Sequence, residues 1–246
     1  MSKEIKFFIT DFRGFYDIIN KPIRSKEDII RVLLLSIKNL LLENEFEDEG
    51  KGEVKIIIGK NSRIYFICKE RGNLPNKYYS FTFPFFVEKD IDGKVLVKSK
   101  ISSEVITSEL VDNLLVLLEN KWFSDLNETF DDIDKFACDY FYIFEEYYSS
   151  KGIIGEEQDR SHIEYWSIVK SLLTFEPAYV RYDYDPDHED GEKHPLNHLD
   201  IHYANNGTFK LGFDKSMKIK DRLEFNIFKD ILENGKEREE ICYKIK

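Results

Sequence analysis

The stretch Tyr179-Val-Arg-Tyr-Asp-Tyr-Asp185 alternates apolar or aromatic residues with ionisable ones, and Asn197-His-Leu-Asp-Ile-His-Tyr-Ala204 does the same. Side chains along a strand alternate faces with period two. Val180, Tyr182 and Tyr184 therefore share one face of the first segment, opposite Arg181, Asp183 and Asp185. In the second segment Leu199, Ile201 and Tyr203 oppose His198, Asp200 and His202. Thr208–Phe213 supplies a third strand, and Asn206-Gly207 a type I′ turn, so the three segments read as an antiparallel meander. If the apolar sets face one core, the ionisable sets meet on the opposite face, where opposed Cβ atoms lie about 4.5–5.5 Å apart.

The same reading extends to the rest of the chain. Ile5–Thr10 is a short strand, and Ser25-x-x-Asp28 opens a helix whose Ile29, Ile30, Leu33, Leu34, Ile37, Leu40 and Leu41 recur at helical spacing. Val54–Ile58 and Arg63–Lys69 form one hairpin. Tyr78–Val87 and Lys94–Lys100 form another around Asp92-Gly93, with Pro84 marking an edge or a bulge in its first arm. Ser108–Lys121 and Asp125–Tyr148 are amphipathic helices, and Ser161-x-x-Glu164 caps a third. A last helix, capped by Asp221-x-x-Glu224, ends at Gly235. The expected fold class is α+β: antiparallel sheets, a helical middle segment, and a C-terminal β-meander plus helix. The expected division is 1–103, 104–176 and 177–246, which together can make one continuous domain.

Composition narrows the function classes. A 42% hydrophobic content in 246 residues supports a packed core. The net charge of −11 argues against a broad duplex-DNA surface, which needs a basic footprint, and favours solubility or a basic partner. Cys68, Cys138 and Cys242 are odd in number and far apart, which fits a reducing compartment. Met1–Gly14 has no long apolar run, and no segment approaches the roughly 20 apolar residues of a membrane span. The expectation is a cytoplasmic protein with no membrane partner.

Four of the five histidines, His188, His194, His198 and His202, fall in one short stretch. His198-x-Asp200-x-His202, with Asp183, Asp185 and His194, offers mixed nitrogen and oxygen ligands suited to Zn, Mn or Fe. Water on such a metal, with a pKa near neutrality, can attack a phosphoester. Without metal, His198 and His202 can act as acid and base beside Asp183, while Arg181 stabilises a phosphorane. His188 lies in an acidic loop and is expected to face solvent. A polar face is also what a half-solvated antiparallel sheet carries with no chemistry at all. An EF-hand fails, because the sixth position counted from Asp183 is His188 rather than glycine and the twelfth is His194 rather than glutamate. Gly59-Lys60 is not a P-loop: the upstream glycine is too distant and Asn61 replaces Ser or Thr.

Tyr182-Asp183-Tyr184-Asp185 followed by His194-Pro195-x-x-His198-Leu199 resembles a bacterial family of domains of unknown function. Its members carry an aromatic-Asp-Tyr-Asp strand, a variable loop, a His-Pro-x-x-His-Leu segment and a closing amphipathic helix. The likeness spans about residues 178–234 and carries over Asp183, Asp185, His194 and His198. Asp200 and His202 depart from the pattern. Such genes resemble those of mobile-element and defence neighbourhoods, where small toxin-like proteins occur. The resemblance implies a toxin or anti-phage role; joined to the chemistry of the shared strand face, the expectation is a defence or toxin-type effector acting as a metal-dependent or histidine acid–base phosphoesterase or nuclease on RNA or nucleotides. The alternative is a non-enzymatic interaction, sensor or antitoxin-like subunit, with a protein partner from a defence or toxin–antitoxin operon.

Overall fold

The computed structural model describes residues 3–11, 14–42, 48–59, 61–70, 74–124, 133–153, 155–191, 193–204, 207–213 and 222–233. It is an α+β protein whose C-terminal strands are followed by a helix. The chain divides into two compact units, each drawn from separate segments. The first contains Met1–Thr10, Glu47–Thr82 and Ala178–Lys246; the second contains Asp11–Phe46 and Phe83–Pro177. The sequence division at 176/177 falls beside a crossing between units, whereas that at 103/104 falls inside the second unit.

The first unit holds a seven-stranded antiparallel sheet of β1 (Lys3–Phe8), β2 (Gly52–Ile58), β3 (Arg63–Glu70), β4 (Leu74–Thr82), β7 (Tyr179–Tyr184), β8 (Asn197–Ala204) and β9 (Gly207–Gly212), adjacent in that order. One face buries Ile57, Tyr65, Ile67, Tyr78, Tyr182 and Leu199 with Leu223 and with Phe228 of helix α6 (Phe225–Glu233). Alternation aligns the ladder: Tyr78 stands opposite Tyr182, and Tyr182 opposite Leu199. The Tyr182 hydroxyl donates to Asn197 Oδ1 and accepts from the Leu223 backbone N–H at 2.7 Å, which ties the approach to α6 to the sheet. On the other face Ile5, Phe7, Val54, Ile56, Ile64, Phe66, Tyr79 and Phe81 are buried at the β1–β4 end. That face turns polar across β7 and β8.

The second unit contains α1 (Phe15–Asn20), α2 (Lys26–Leu41), the hairpin β5 (Phe85–Lys89) and β6 (Val95–Ser99), α3 (Ser108–Glu119), α4 (Ile133–Ser150) and α5 (Glu156–Thr174). The expected capping box of α2 is present: Ser25 Oγ accepts from the Asp28 N–H and Asp28 Oδ2 accepts from the Ser25 N–H. Tyr140, Phe144 and Tyr148 of the α4 stripe are buried, whereas Phe141 is exposed. Among the described residues no helix is long and apolar enough to cross a membrane.

Two sequence expectations need correction. The single arm Tyr78–Val87 is two strands: β4 ends at Thr82 within the large sheet, and β5 begins at Phe85 in the separate hairpin. Pro84 sits at the break, where it lacks an N–H for a ladder and restricts the residue before it. Helix α5 starts at Glu156 after Gly155, which adopts φ 68°, so Ser161 lies inside the helix rather than at its cap. The Asn206-Gly207 turn and the Asp221 cap involve residues outside those described, as does the Asp125–Asp132 start of the second amphipathic helix.

Phe228 is fully buried between Tyr78 and the rest of this core, while its neighbour Ile227 is exposed. Phe228→Ala is expected to lower unfolding free energy by about 3–5 kcal/mol in urea titrations. Ile227→Ala is the control and should change it by no more than about 0.5 kcal/mol. Equal effects would mean that α6 does not dock through Phe228.

Candidate functional site

Residue register brings the ionisable residues of β7 and β8 together. Arg181 stands opposite Asp200, Asp183 opposite His198, and Tyr179 opposite His202. Strand β4 adds Lys77 opposite Asp183, and β9 adds Lys210 opposite Asp200 and Gly212 opposite His198. Arg181 Nε and Nη2 donate to Asp183 Oδ2 at 2.9 and 2.6 Å, and Nη2 also donates to Asp200 Oδ2. One guanidinium therefore clamps two carboxylates on adjacent strands. All three side chains are less than one-fifth exposed, so the clamp lies where charge pairing is strong and an unpaired charge is costly.

His198 is almost fully buried and is oriented from both sides. Its Nδ1 lies 3.0 Å from the Pro195 carbonyl, which accepts the N–H and fixes the tautomer. Its Nε2 lies 3.4 Å from Asp183 Oδ2, at ion-pair distance but without hydrogen-bond alignment. The Asp183 carboxylate holds the imidazole above its ordinary pKa of 6.5; burial opposes this and the Pro195 carbonyl adds to it. Burial works to raise Asp183, but His198 and the Arg181 charge outweigh it and keep the carboxyl below its ordinary 3.8. Asp183, His198 and Asp200 place one ligand atom each within 4.8 Å of one another.

The other predicted site residues take different places. His202 is buried on the same face, and neither ring nitrogen has a hydrogen-bond partner among the described residues. Asp185 lies one residue beyond β7; its carboxylate is drawn to His188 Nδ1, at 2.9 and 3.2 Å. His188 faces solvent as expected. Among the described residues His194 joins no ligand group; its ring packs against that of His198 at 4.7 Å between centroids, at 69°. The role read for Arg181, holding a phosphate, does not fit a fork already occupied by two carboxylates. Lys210 Nζ, exposed and 3.7 Å from Asp200 Oδ1, is the better-placed cation.

Sequence reasoning missed Lys77, Lys210, Pro195 and Gly212. Lys210 was legible in principle, since alternation along β9 puts it on the face of Asp200. Lys77 was not, because it depends on β4 pairing with a strand about a hundred residues away. Gly212 makes room for the loop: a Cβ there would lie 2.6 Å from Pro195 Cγ and 3.3 Å from its Cβ. The absence of a side chain on β9 thus lets Pro195 sit where its carbonyl can hold His198.

Gly212→Ala is expected to cost about 1–3 kcal/mol by overpacking. It should also loosen the His198 Nδ1–Pro195 bond, which imidazole nitrogen chemical shifts report; unchanged shifts would separate Gly212 from His198. The pair also sets a pH dependence. The His198 contribution to stability is complete below pH 6.5 and lost as pH rises through its raised pKa. The Asp183 contribution is complete above pH 3.8 and lost as pH falls through its lowered pKa. In buffer with a chelator, the stability gap between wild type and His198→Gln should be widest between pH 3.8 and 6.5. A gap that instead widens on the alkaline side would contradict the pairing.

No protein-family model, curated protein or solved structure matches the chain, so its functional reading is built on the chemistry of the β7–β8 face.

Proposed function

We propose that the β7–β8 face is a divalent-metal site and that the protein is a defence or toxin-type effector hydrolysing phosphoester bonds in RNA or nucleotides. The supporting observation is the state of His198: Nδ1 is committed to a backbone carbonyl while buried Nε2, with no hydrogen bond among the described residues, lies among the carboxylates of Asp183 and Asp200. Metal-binding histidines have this arrangement, in which a bond to one ring nitrogen orients the other toward the ion. Asp200 Oδ1 is a second buried atom with no hydrogen-bond partner among the described residues. Zn, Mn or Fe suits such a donor set.

Asp183, His198 and Asp200 would hold the ion, which would bring the pKa of bound water toward neutrality and so supply a hydroxide for attack on phosphorus. The ester oxygen that leaves would need a proton. His202, beside Asp200 on the face, is the candidate proton donor. The face sits in a chain of net charge −11, yet Lys77 and Lys210 flank it on the neighbouring strands. Cations concentrated there favour an anionic substrate over a neutral one.

A second reading has its own observation. Arg181 already pairs with both Asp183 and Asp200, and Lys210 adds a second cation beside Asp200, so the face can be a self-contained ion-pair network within a sensor or antitoxin-like subunit that binds a protein partner. Arg181→Gln separates the two. Without metal it strands two partly buried carboxylates and should destabilise the protein by about 3–5 kcal/mol. If the face is a metal site, Zn²⁺ or Mn²⁺ should restore much of that loss. Untagged wild type should bind one equivalent by calorimetry, and His198→Ala and Asp200→Asn should weaken binding at least about tenfold. No binding, no rescue and no turnover of RNA or nucleotides would leave the interaction reading in place.

A further inference from the structure

His198 is 2% exposed, which raises the question of how an ion reaches it. The loop between β7 and β8 supplies imidazoles at successive depths. His188 is at the surface with its side chain 76% exposed, and both oxygens of Asp185 lie against its Nδ1. His194 is half-buried, its ring centroid 6.5 Å from that of His188, and its buried Nδ1 has no hydrogen-bond partner among the described residues. His198 follows at 4.7 Å, and its Nε2 meets Asp183 at 3.4 Å.

The loop is built rather than loose. The Asp190 N–H donates to the His194 carbonyl at 3.0 Å, and the His194 N–H donates back to Asp190 at 3.3 Å. The Asp185 N–H donates to the Leu196 carbonyl at 3.0 Å, closing the loop at its base. A surface ion pair accounts for His188 alone, and ring packing accounts for His194 alone. Neither accounts for three rings in file from solvent to a buried carboxylate pair, each with a ring nitrogen not committed to hydrogen bonding within the file.

We propose that His188, His194 and His198 form an entry file for a divalent transition metal, with His188 and Asp185 as the capture station and Asp183, His198 and Asp200 as the final seat. The proposal rests on reading the β7–β8 face as a metal site. At the surface, Asp185 orients His188 as the Pro195 carbonyl orients His198 within, so both stations have the geometry of a supported imidazole ligand. Transfer is ligand exchange, one imidazole nitrogen replacing the next, with no change in oxidation state. A route that is not part of the final seat alters rates and leaves affinity alone, so association and dissociation must slow together.

The test is stopped-flow uptake of Zn²⁺ by untagged full-length protein, followed by competition with a chromophoric chelator. His194→Phe keeps a packing ring and removes the ligand; His188→Ala removes the exposed station without disturbing the core. Association is expected to slow about tenfold in each variant, with stoichiometry and equilibrium affinity unchanged. Wild-type affinity with wild-type rates in both variants would overturn the entry file and leave the metal site standing. Loss of equilibrium binding in His194→Phe would make His194 a ligand of the seat, which also overturns the route. A wild type that binds no Zn²⁺ at equilibrium would overturn the site and the file together.

Discussion

Strand β7 is the constraint on which the first unit depends. It pairs with β4 on one side and β8 on the other, so it joins two stretches of chain separated by the whole of Phe83–Pro177. Its period-two alternation serves both faces at once. Tyr182 enters the apolar ladder between Tyr78 and Leu199, and its hydroxyl anchors the segment leading into α6. Arg181 and Asp183, its immediate neighbours, are thereby forced onto the opposite face. A one-residue slip would put the charges into the core and the tyrosine among the ions, so the hydrophobic ladder and the ionic face fix each other's register.

The ionic face has its own logic. Asp183 and Asp200 are partly buried carboxylates on adjacent strands, and two such charges need a cation nearby. Arg181 meets that need, which explains why the sheet can fold with them there. The residues beside the clamp are different. His198, His202 and Asp200 Oδ1 retain bonding capacity that the clamp does not use, so the carboxylates are paired without the face being saturated.

Much of this was legible in the sequence, and the limits were physical. Alternation along Tyr179–Asp185 and Asn197–Ala204 placed Arg181, Asp183, His198, Asp200 and His202 on one face, because strand geometry is local. The Ser25–Asp28 cap was legible for the same reason. What escaped depended on partners distant in the chain or on shape. The break at Pro84 could not be told from a bulge, since only pairing with β7 shows that Tyr78 and Phe85 belong to different sheets. Asp185 was counted with the face, but at the strand end its carboxylate was free to turn to His188. Gly212 carries no side chain to announce a role, and its importance comes from what a Cβ would strike.

His202 makes the energetic case for function most directly. Burying an imidazole with neither ring nitrogen hydrogen-bonded costs about 1–3 kcal/mol per unsatisfied group. Position 202 lies opposite Tyr179 on a strand whose other face is already apolar. Valine or isoleucine would suit that position in a sheet that needed only to fold. The same holds for His198, whose Nε2 would be better satisfied by an aligned carboxylate than by one 3.4 Å away. A sheet that bears such penalties at two positions of one strand face, on either side of Asp200 in the ion-pair clamp, has bonding capacity concentrated where folding does not require it. Native structures tolerate unsatisfied buried groups chiefly where a ligand, water or reaction uses them, and among the described residues of the first unit most of them lie on the β7–β8 face and the loop beside it.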